Sequence, residues 1–321
     1  MSKRTLLFLI AIFVLMAIFA AGMVQAAGDP ATASSSSDSS MPWWVWPIIL
    51  LAVTFVLGIF AVLGGVGGGV LFTPIVGGFF PFSMDFVRGA GLLVALAGSL
   101  AAGPGLLKKG LADLRLALPV ALIASITAVM GAMVGLALPD TVVQTMLGIA
   151  ILAIVGIMMM ARKSEYPEVK KADRLSTVLR ISGIYHEPSS GKDIDWKIHR
   201  TVQGLILFVF IGFMAGMFGL GAGWANVPVL NLVLGAPLKV SVASSKFLLA
   251  ITDTSAAWMY INAGAVIPLM VVPSIIGIML GSLVGVKILA KTRPSAVRYI
   301  VLIMLSFSGV RALLKGTGIW P

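Results

Sequence analysis

Long uncharged, apolar runs alternate with short polar segments along most of this chain. No charged residue occurs between Trp43 and Met84, and none occurs between Thr201 and Leu238. Each of these runs is long enough for about two membrane-spanning helices of roughly 20 residues. Further apolar spans are predicted at about 88–107, 114–138 and 141–161, and again at about 241–262, 264–290 and 296–314. The pattern therefore predicts an all-α polytopic membrane protein with about five spans in each half.

The two halves carry the same motif at a fixed distance. The segment GGVGGGVLFTP, which begins at Gly64, returns as FGLGAGWANVP from Phe218, a shift of 154 residues. The same shift places other glycines and prolines of the first half on identical residues of the second, namely Gly58 on Gly212, Gly110 on Gly264 and Pro119 on Pro273. Duplicated halves with broken helices are typical of secondary transporters, and an odd number of spans per half inverts the second half.

The chain outside the two repeats consists of an N-terminal segment and a central linker. Lys3 and Arg4 precede an apolar run that ends near Gly22, which predicts a signal peptide or an N-terminal anchor over residues 1–27. The serine-rich residues 28–42 are expected to form a flexible outer linker. The membrane repeats are assigned to residues 43–161 and 201–315, with a cytosolic linker over residues 162–200 between them.

The cytosolic linker carries the pattern of a β-hairpin. A first strand is predicted from Val178 to Tyr185, and turn residues follow from Pro188 to Gly191. Ile194, Trp196 and Ile198 then alternate with polar residues, as in a half-buried second strand. We interpret the hairpin as a small structural clip, with a partner-binding role as the alternative.

Composition and charge narrow the class of protein. With 59% hydrophobic and 11% charged residues, the chain cannot bury its apolar side chains in a water-soluble core. The net charge of +11 comes largely from basic residues in short loops, so it indicates orientation by the positive-inside rule rather than nucleic-acid binding. Cysteine is absent, the two histidines lie in the linker, and no HExxH motif occurs. We therefore expect no enzyme activity, no metal and no cofactor.

The two glycine motifs are the first candidate binding residues. Irregular backbone at membrane depth is tolerated only where it is buried in protein or lines a cavity. A helix that starts at such a break presents free N–H groups and the positive end of its dipole, which favour an anion. The predicted contacts to an anion are Gly65, Gly67, Gly69 and Thr73 in the first motif and Gly219, Gly221, Gly223 and Asn226 in the second. The alternative is that these glycines only allow close helix packing.

A polar span after the second motif supplies the other candidates, which are Ser244, Ser245, Lys246, Thr252 and Asp253. A charged residue near the bilayer centre costs about 2.5–3.5 kcal/mol, so Lys246 and Asp253 suggest function. We expect Lys246 and the three hydroxyl groups to contact the anion. Because burial disfavours a charged carboxyl group, Asp253 is expected to bind and release a proton during transport. The alternatives are interhelical hydrogen bonds for the hydroxyl groups and snorkelling for Lys246.

These motifs give the chain a likeness to a known family. With GGVGGGVLFTP in the first half and GLGAGWANVP followed by VSVASSKFLLAITDTSAAWMYINAG in the second, the chain resembles the sulfite exporter TauE/SafE family over about residues 46–315. The resemblance implies a carrier in the bacterial inner membrane for small sulfur-containing anions such as sulfite or organosulfonates, driven by the proton gradient.

The predicted function is therefore secondary active export of such anions by alternating access. The predicted partners are a small anionic substrate and the lipid bilayer, with no nucleic acid, and homo-oligomer formation is left open. Two other classes also stay open. An anion channel would use the same donors, and a membrane anchor or assembly factor would act through the cytosolic linker.

Overall fold

The computed structural model describes residues 44–64, 67–108, 112–160, 172–187, 192–289 and 294–318, together with Pro167 and Val169. The predicted signal peptide or anchor, the outer linker and Gly65 lie outside the described residues. Helices dominate the described chain, and the predicted all-α polytopic class is confirmed.

The helices fall into two sets separated by a small linker. The first set is α1 (Val45–Gly64), α2 (Gly68–Phe79), α3 (Met84–Lys108), α4 (Leu114–Ala137) and α5 (Asp140–Met160). The linker contains α6 (Arg174–Val178), β1 (Ser182–Glu187) and β2 (Lys192–Lys197). The second set is α7 (Thr201–Phe218), α8 (Gly223–Pro228) with a π turn (Val229–Val233), α9 (Leu238–Asn262), α10 (Pro268–Leu289) and α11 (Pro294–Gly316). Each element of the second set corresponds, by the shift of 154 residues, to one of the first.

The helix breaks occur at the glycines of the two motifs. Gly67 is extended, with φ −71° and ψ 152°, and α2 starts directly after it. In the second motif Gly219 and Gly221 have φ values of 65° and 66°, a left-handed conformation that costs glycine little and other residues more. The prolines of the two motifs do not end the helical conformation, although they lack an N–H. Pro74 lies inside α2, and the chain after Pro228 continues as a π turn.

The first helix of each set packs along the fourth helix of the other set. α1 lies along α10 as α7 lies along α4, and α3 contacts α9. The counterparts α3 and α9 run antiparallel, since Gly89 near the start of α3 faces Tyr260 near the end of α9. α5 and α11 are also antiparallel, with Thr145 facing Gly316. Counterparts that meet antiparallel are related by a two-fold axis across the helices, so the second set is inverted.

Two of the ten helical segments in these sets are too short to span a bilayer alone. Six described helices, α1, α3, α4, α5, α7 and α10, are long and apolar enough to cross a membrane. α2 has 12 residues, about 18 Å of helix, against a hydrocarbon core of about 30 Å. Beyond its end, the rings of Phe80 and Phe82 contact Trp46 at the start of α1. α2 therefore returns the chain to the side on which α1 begins.

The linker forms the predicted hairpin with one correction. β1 pairs antiparallel with β2, from Ser182 opposite Lys197 to Glu187 opposite Lys192. Val178 belongs to α6 and not to the first strand, because the Asp173 carboxylate caps that helix by accepting from the Ser176 N–H.

Candidate functional site

The two helix breaks meet in the interior. A methyl group placed on Gly223, the first residue of α8, would lie 2.7 Å from the amide nitrogen of Gly67. A methyl group on Gly69 would lie 2.7 Å from the carbonyl oxygen of Leu220. By the repeat shift Gly67 corresponds to Gly221 and Gly69 to Gly223, so each break contacts the other in an equivalent way. The beginnings of α2 and α8 are thus in backbone contact.

The middle parts of α3 and α9 enclose this meeting point. Ala95 of α3 lies against both Gly69 and Gly221. Its counterpart Leu249 of α9 lies against both Gly67 and Gly223. Gly91 of α3 allows the second break to approach this helix closely, since a methyl group there would lie 2.5 Å from the carbonyl oxygen of Gly219.

The carboxyl group of Asp253 lies at this meeting point. Its side chain is 0% exposed, and neither oxygen has a hydrogen-bond partner among the described residues. One oxygen lies 2.9 Å from where a methyl group on Gly221 would be, and the Ala222 N–H faces the carboxylate without completing a hydrogen bond. Asp253 therefore sits directly ahead of the first residue of α8.

Three more buried polar groups near the second break have no partner within the described part of the chain. They are both amide atoms of Asn226, the indole N–H of Trp224 and the hydroxyl of Thr252. The Asn226 side chain is 1% exposed. A buried polar group without a hydrogen bond costs about 1–3 kcal/mol, so such groups need an explanation, and a ligand is one. Asn226 and Thr252 are among the contacts predicted from the sequence, and Trp224 is not.

The other predicted contacts to an anion have varied surroundings. The Thr73 hydroxyl donates to the Gly219 carbonyl at 2.7 Å. Its hydrogen therefore joins the two breaks and is not free to contact an anion in this arrangement. Ser244 accepts from the Asp113 N–H at 3.1 Å, at the start of α4. Ser245 is buried and Lys246 is half-buried. Lys246 interacts electrostatically with Asp253, and no ion pair joins these two among the described residues. Their roles in binding stay predictions.

Arg88, which sequence reasoning passed over, is a fully buried charge at the start of α3. Its guanidinium donates to the carbonyl of Gly135 at 2.7 Å and to that of Met217 at 3.5 Å. These carbonyls lie near the C-terminal ends of α4 and α7, where the helix dipole is negative. Asp85, one turn earlier, pairs with the same guanidinium. A charge within an apolar span is costly, and this argument, which identified Asp253 in the sequence, could have identified Arg88 as well.

Two further side chains join Arg88 in holding the end of α7. Tyr260 of α9 donates its hydroxyl to the Gly216 carbonyl at 2.9 Å and lies at 3.3 Å from that of Met217. Thr73 of α2 holds Gly219, as described above. We call Arg88, Tyr260 and Thr73 the α7 clamp. Their counterparts by the repeat shift are Val242, Leu106 and Val227, so the equivalent clamp cannot form in the inverted position.

Metal binding finds no support in the described residues, which contain no group of three or more histidine, cysteine, aspartate or glutamate side chains placed to hold an ion. The chemistry that this site offers is thus hydrogen-bond donation from neutral groups, the positive ends of two helical segments and one carboxyl group.

Known proteins place the chain in a family. A family model described as sulfite exporter TauE/SafE matches residues 50–312. A curated relative, the "Probable membrane transporter protein YunE" of Bacillus subtilis (strain 168), is 27% identical over 130 residues, which are 40% of this chain and 47% of the relative. The chain thus spans about half the length of this curated relative. No solved structure shows a significant match. Because the family model extends from α1 into α11, the chain belongs to the sulfite exporter TauE/SafE family of membrane transporters.

Proposed function

We propose that this protein is a secondary active transporter that exports small sulfur-containing anions, such as sulfite or organosulfonates, by alternating access and with proton coupling. The observation that carries the proposal is the backbone contact between Gly67 and Gly223, where α2 and α8 begin. Each start leaves N–H groups without intrahelical partners and carries about half a positive charge. Two such ends at one point in the interior form a site that attracts an anion.

The donors around the meeting point suit a small oxyanion. Asn226 offers two N–H bonds, Trp224 one and Thr252 a hydroxyl, and none of these is used within the described residues. Sulfite and sulfonate groups present three oxygens that accept from several directions. Neutral donors hold such an ion without a full opposite charge, which allows release on the other side of the membrane.

The inverted halves supply a means of alternating access. The site lies between counterpart elements, with α2 and α3 on one side and α8 and α9 on the other. A rocking movement of one half against the other would expose the same site to each side in turn, as in other transporters with inverted repeats. We further propose the cell inner membrane as the location, with the basic linker in the cytosol.

The test is transport by the purified full-length chain in proteoliposomes loaded with radiolabelled sulfite. We expect saturable efflux and counterflow, in which unlabelled sulfite outside accelerates exchange of the label. Gly223→Ala should lower the rate about tenfold or more, because a methyl group there lies 2.7 Å from the Gly67 nitrogen in a packed interior. Gly156→Ala is the matched control and should keep the wild-type rate, since nothing lies within 4 Å of the added methyl.

Two outcomes would contradict the proposal. Flux that rises linearly with concentration and shows no counterflow would identify an anion channel. Absence of flux for sulfite and for sulfonates, with protein that is folded and correctly inserted, would rule out transport of this substrate class.

A further inference from the structure

The carboxyl group of Asp253 occupies the position in which a transported anion would be held. It lies against Gly221 and faces the N–H of Ala222, which are the two residues that precede α8. Gly223 follows and touches Gly67 at the start of the other broken helix. An ionised carboxylate here and an incoming anion would therefore draw on the same N–H groups and the same positive helix ends.

The charged groups around Asp253 are few. Lys246, two turns earlier on α9, is the charged residue of the described chain that acts on it. α3 presents Ala95 to the same point, while Arg88 lies two turns towards its start, where it contacts α4, α7 and Tyr260 and pairs with Asp85. α4 carries Arg115 exposed at its far end, and α7 and α8 carry no charged side chain. Among the described residues, Lys246 is the cation that offsets a negative charge at Asp253, since Arg88 is paired with Asp85.

We infer that an anion and the ionised form of Asp253 exclude each other from the helix breaks, so that the protein carries one proton together with each anion. This inference rests on the proposed function. The proton comes from solvent, adds to a carboxyl oxygen of Asp253 and leaves again when the anion is released, while the anion itself is chemically unchanged.

Electrostatics and hydrogen bonding act in the same direction. Two negative charges within one ionic diameter in a partly desolvated site repel each other strongly enough to weaken binding by about a hundredfold. The neutral carboxyl group removes that repulsion, and its O–H becomes a further donor to an anion oxygen. By thermodynamic reciprocity, the bound anion increases the proton affinity of Asp253 by the same factor.

This linkage sets the direction of coupling. Proton and anion travel together, so an inward proton gradient favours uptake of the anion and opposes its export. Export, the direction proposed above, then occurs only where the outward gradient of the anion exceeds the inward proton gradient, so the coupled proton leaves with the anion and does not drive its export. A singly charged anion that moves with one proton carries no net charge, and its transport is then insensitive to membrane potential.

The experiment counts the protons taken up when an anion binds to the purified full-length protein. Methanesulfonate and thiosulfate serve as probes because their own charge does not change over the pH range in which the protein is stable. At a pH above the pKa that Asp253 has in the free protein, calorimetric titration in buffers with different heats of ionisation should give about one proton per anion for the wild type. The affinity should fall by up to about tenfold for each unit rise in pH above the pKa of Asp253.

Variants identify the group that takes up the proton. Asp253→Asn should bind the same probes with an affinity that does not vary with pH and with no proton uptake. Asp140→Asn, the same change at an exposed position at the start of α5, should behave as the wild type.

Each result separates the inference from the function on which it rests. Binding to the wild type without proton uptake at every pH of the stable range, or undiminished uptake by Asp253→Asn, overturns the inference and leaves transport standing. If Asp253→Asn does not fold, Asp253→Ser, which is smaller and also lacks the carboxyl group, takes its place, and undiminished proton uptake by that variant overturns the inference. Absence of binding for both probes and for sulfite overturns the inference and the proposed function together.

Discussion

Arg88 shows how a full charge is kept inside a membrane protein. Its guanidinium donates hydrogen bonds to carbonyl groups at the ends of two helices and forms an ion pair with Asp85. It also lies over the ring of Tyr260, whose centre is 5.7 Å away. All of these partners are negative or electron-rich, so the cation replaces its hydration shell with fixed groups. Arg88 therefore joins α3, α4 and α7 beside the second break, and its place is structural rather than at the anion itself.

Removal of this cation should destabilise the fold. In Arg88→Met the carbonyls of Gly135 and Met217 lose their donor, and we expect a loss of about 3 kcal/mol in the free energy of unfolding. Arg115→Met is the control, because Arg115 is exposed and the same substitution should change stability by less than about 0.5 kcal/mol. Denaturant unfolding in detergent, followed by tryptophan fluorescence, measures both. Equal stability of the two variants would contradict a bracing role for Arg88.

At the scale of elements, glycines bring the paired helices into backbone contact. Gly216 of α7 lies against Ala128 of α4, and Gly281 of α10 lies against Phe55 of α1, with the carbonyl oxygen nearest in both cases. Helices in lipid gain little from hydrophobic burial, so close packing of this kind contributes much of their association. Gly216 and Gly281 lie outside the two glycine motifs, and their role is to allow close packing of helices.

A methyl group at such a contact should separate the helices. Gly216→Ala places its methyl against the Ala128 carbonyl, and we expect a loss of about 2–3 kcal/mol through overpacking. Gly156→Ala in α5 meets open space and should be neutral or should stabilise by up to about 1 kcal/mol, since alanine favours helix. The measurement is the midpoint of thermal unfolding in the same detergent. A Gly216→Ala variant as stable as Gly156→Ala would show that α4 and α7 can move apart at no cost.

At the scale of the whole molecule, one carboxylate attaches the linker to the second membrane repeat. Asp173 accepts from the N–H and the hydroxyl of Thr201, the first residue of α7, and from the N–H of Ser176 in α6. Burial by itself would raise the pKa of Asp173, but the hydrogen bonds from Ser176 and Thr201 outweigh it and lower the pKa below its ordinary value. The ionised form of Asp173 is therefore the one that holds the linker in place.

The lowered pKa gives Asp173 a defined dependence of stability on pH. Its contribution is complete above the pKa that the side chain has in the unfolded chain and is lost as pH falls through the lower pKa of the folded protein. Asp173→Asn should cost about 1 kcal/mol near neutral pH, and the difference from the wild type should shrink in acid. Asp195→Asn, at an exposed ion pair on β2, should cost less than about 0.5 kcal/mol at neutral pH. A difference between Asp173→Asn and the wild type that grows in acid would contradict this account.

The extent of prediction from sequence differs between the elements and the site. The helix at 84–108 and its counterpart at 238–262 were anticipated within a few residues at each end, because an apolar run between charged residues is a local property. The binding roles of the candidate residues stay predictions, and the structure shows only which of these residues lie together. Gly67, Gly223 and Asp253 come together in the interior. By contrast, the Thr73 hydroxyl donates to the Gly219 carbonyl, and the Ser244 hydroxyl accepts from the N–H at the start of α4. The sequence contains no direct information about which partner a hydroxyl group chooses.

The linear chain by itself determined where helices run, that they are duplicated and that they break at the glycines, since hydrophobicity and backbone freedom are carried by each residue and its neighbours. The odd number of spans per half also predicted the inversion of the second set, whereas only the tertiary structure decided that Gly67 meets Gly223, that Asp253 faces the start of α8 and that Arg88 braces α4 and α7. These contacts join residues far apart in sequence, and they depend on how whole helices pack. For this protein the sequence identifies the candidate groups, and the packing of the two halves brings them together.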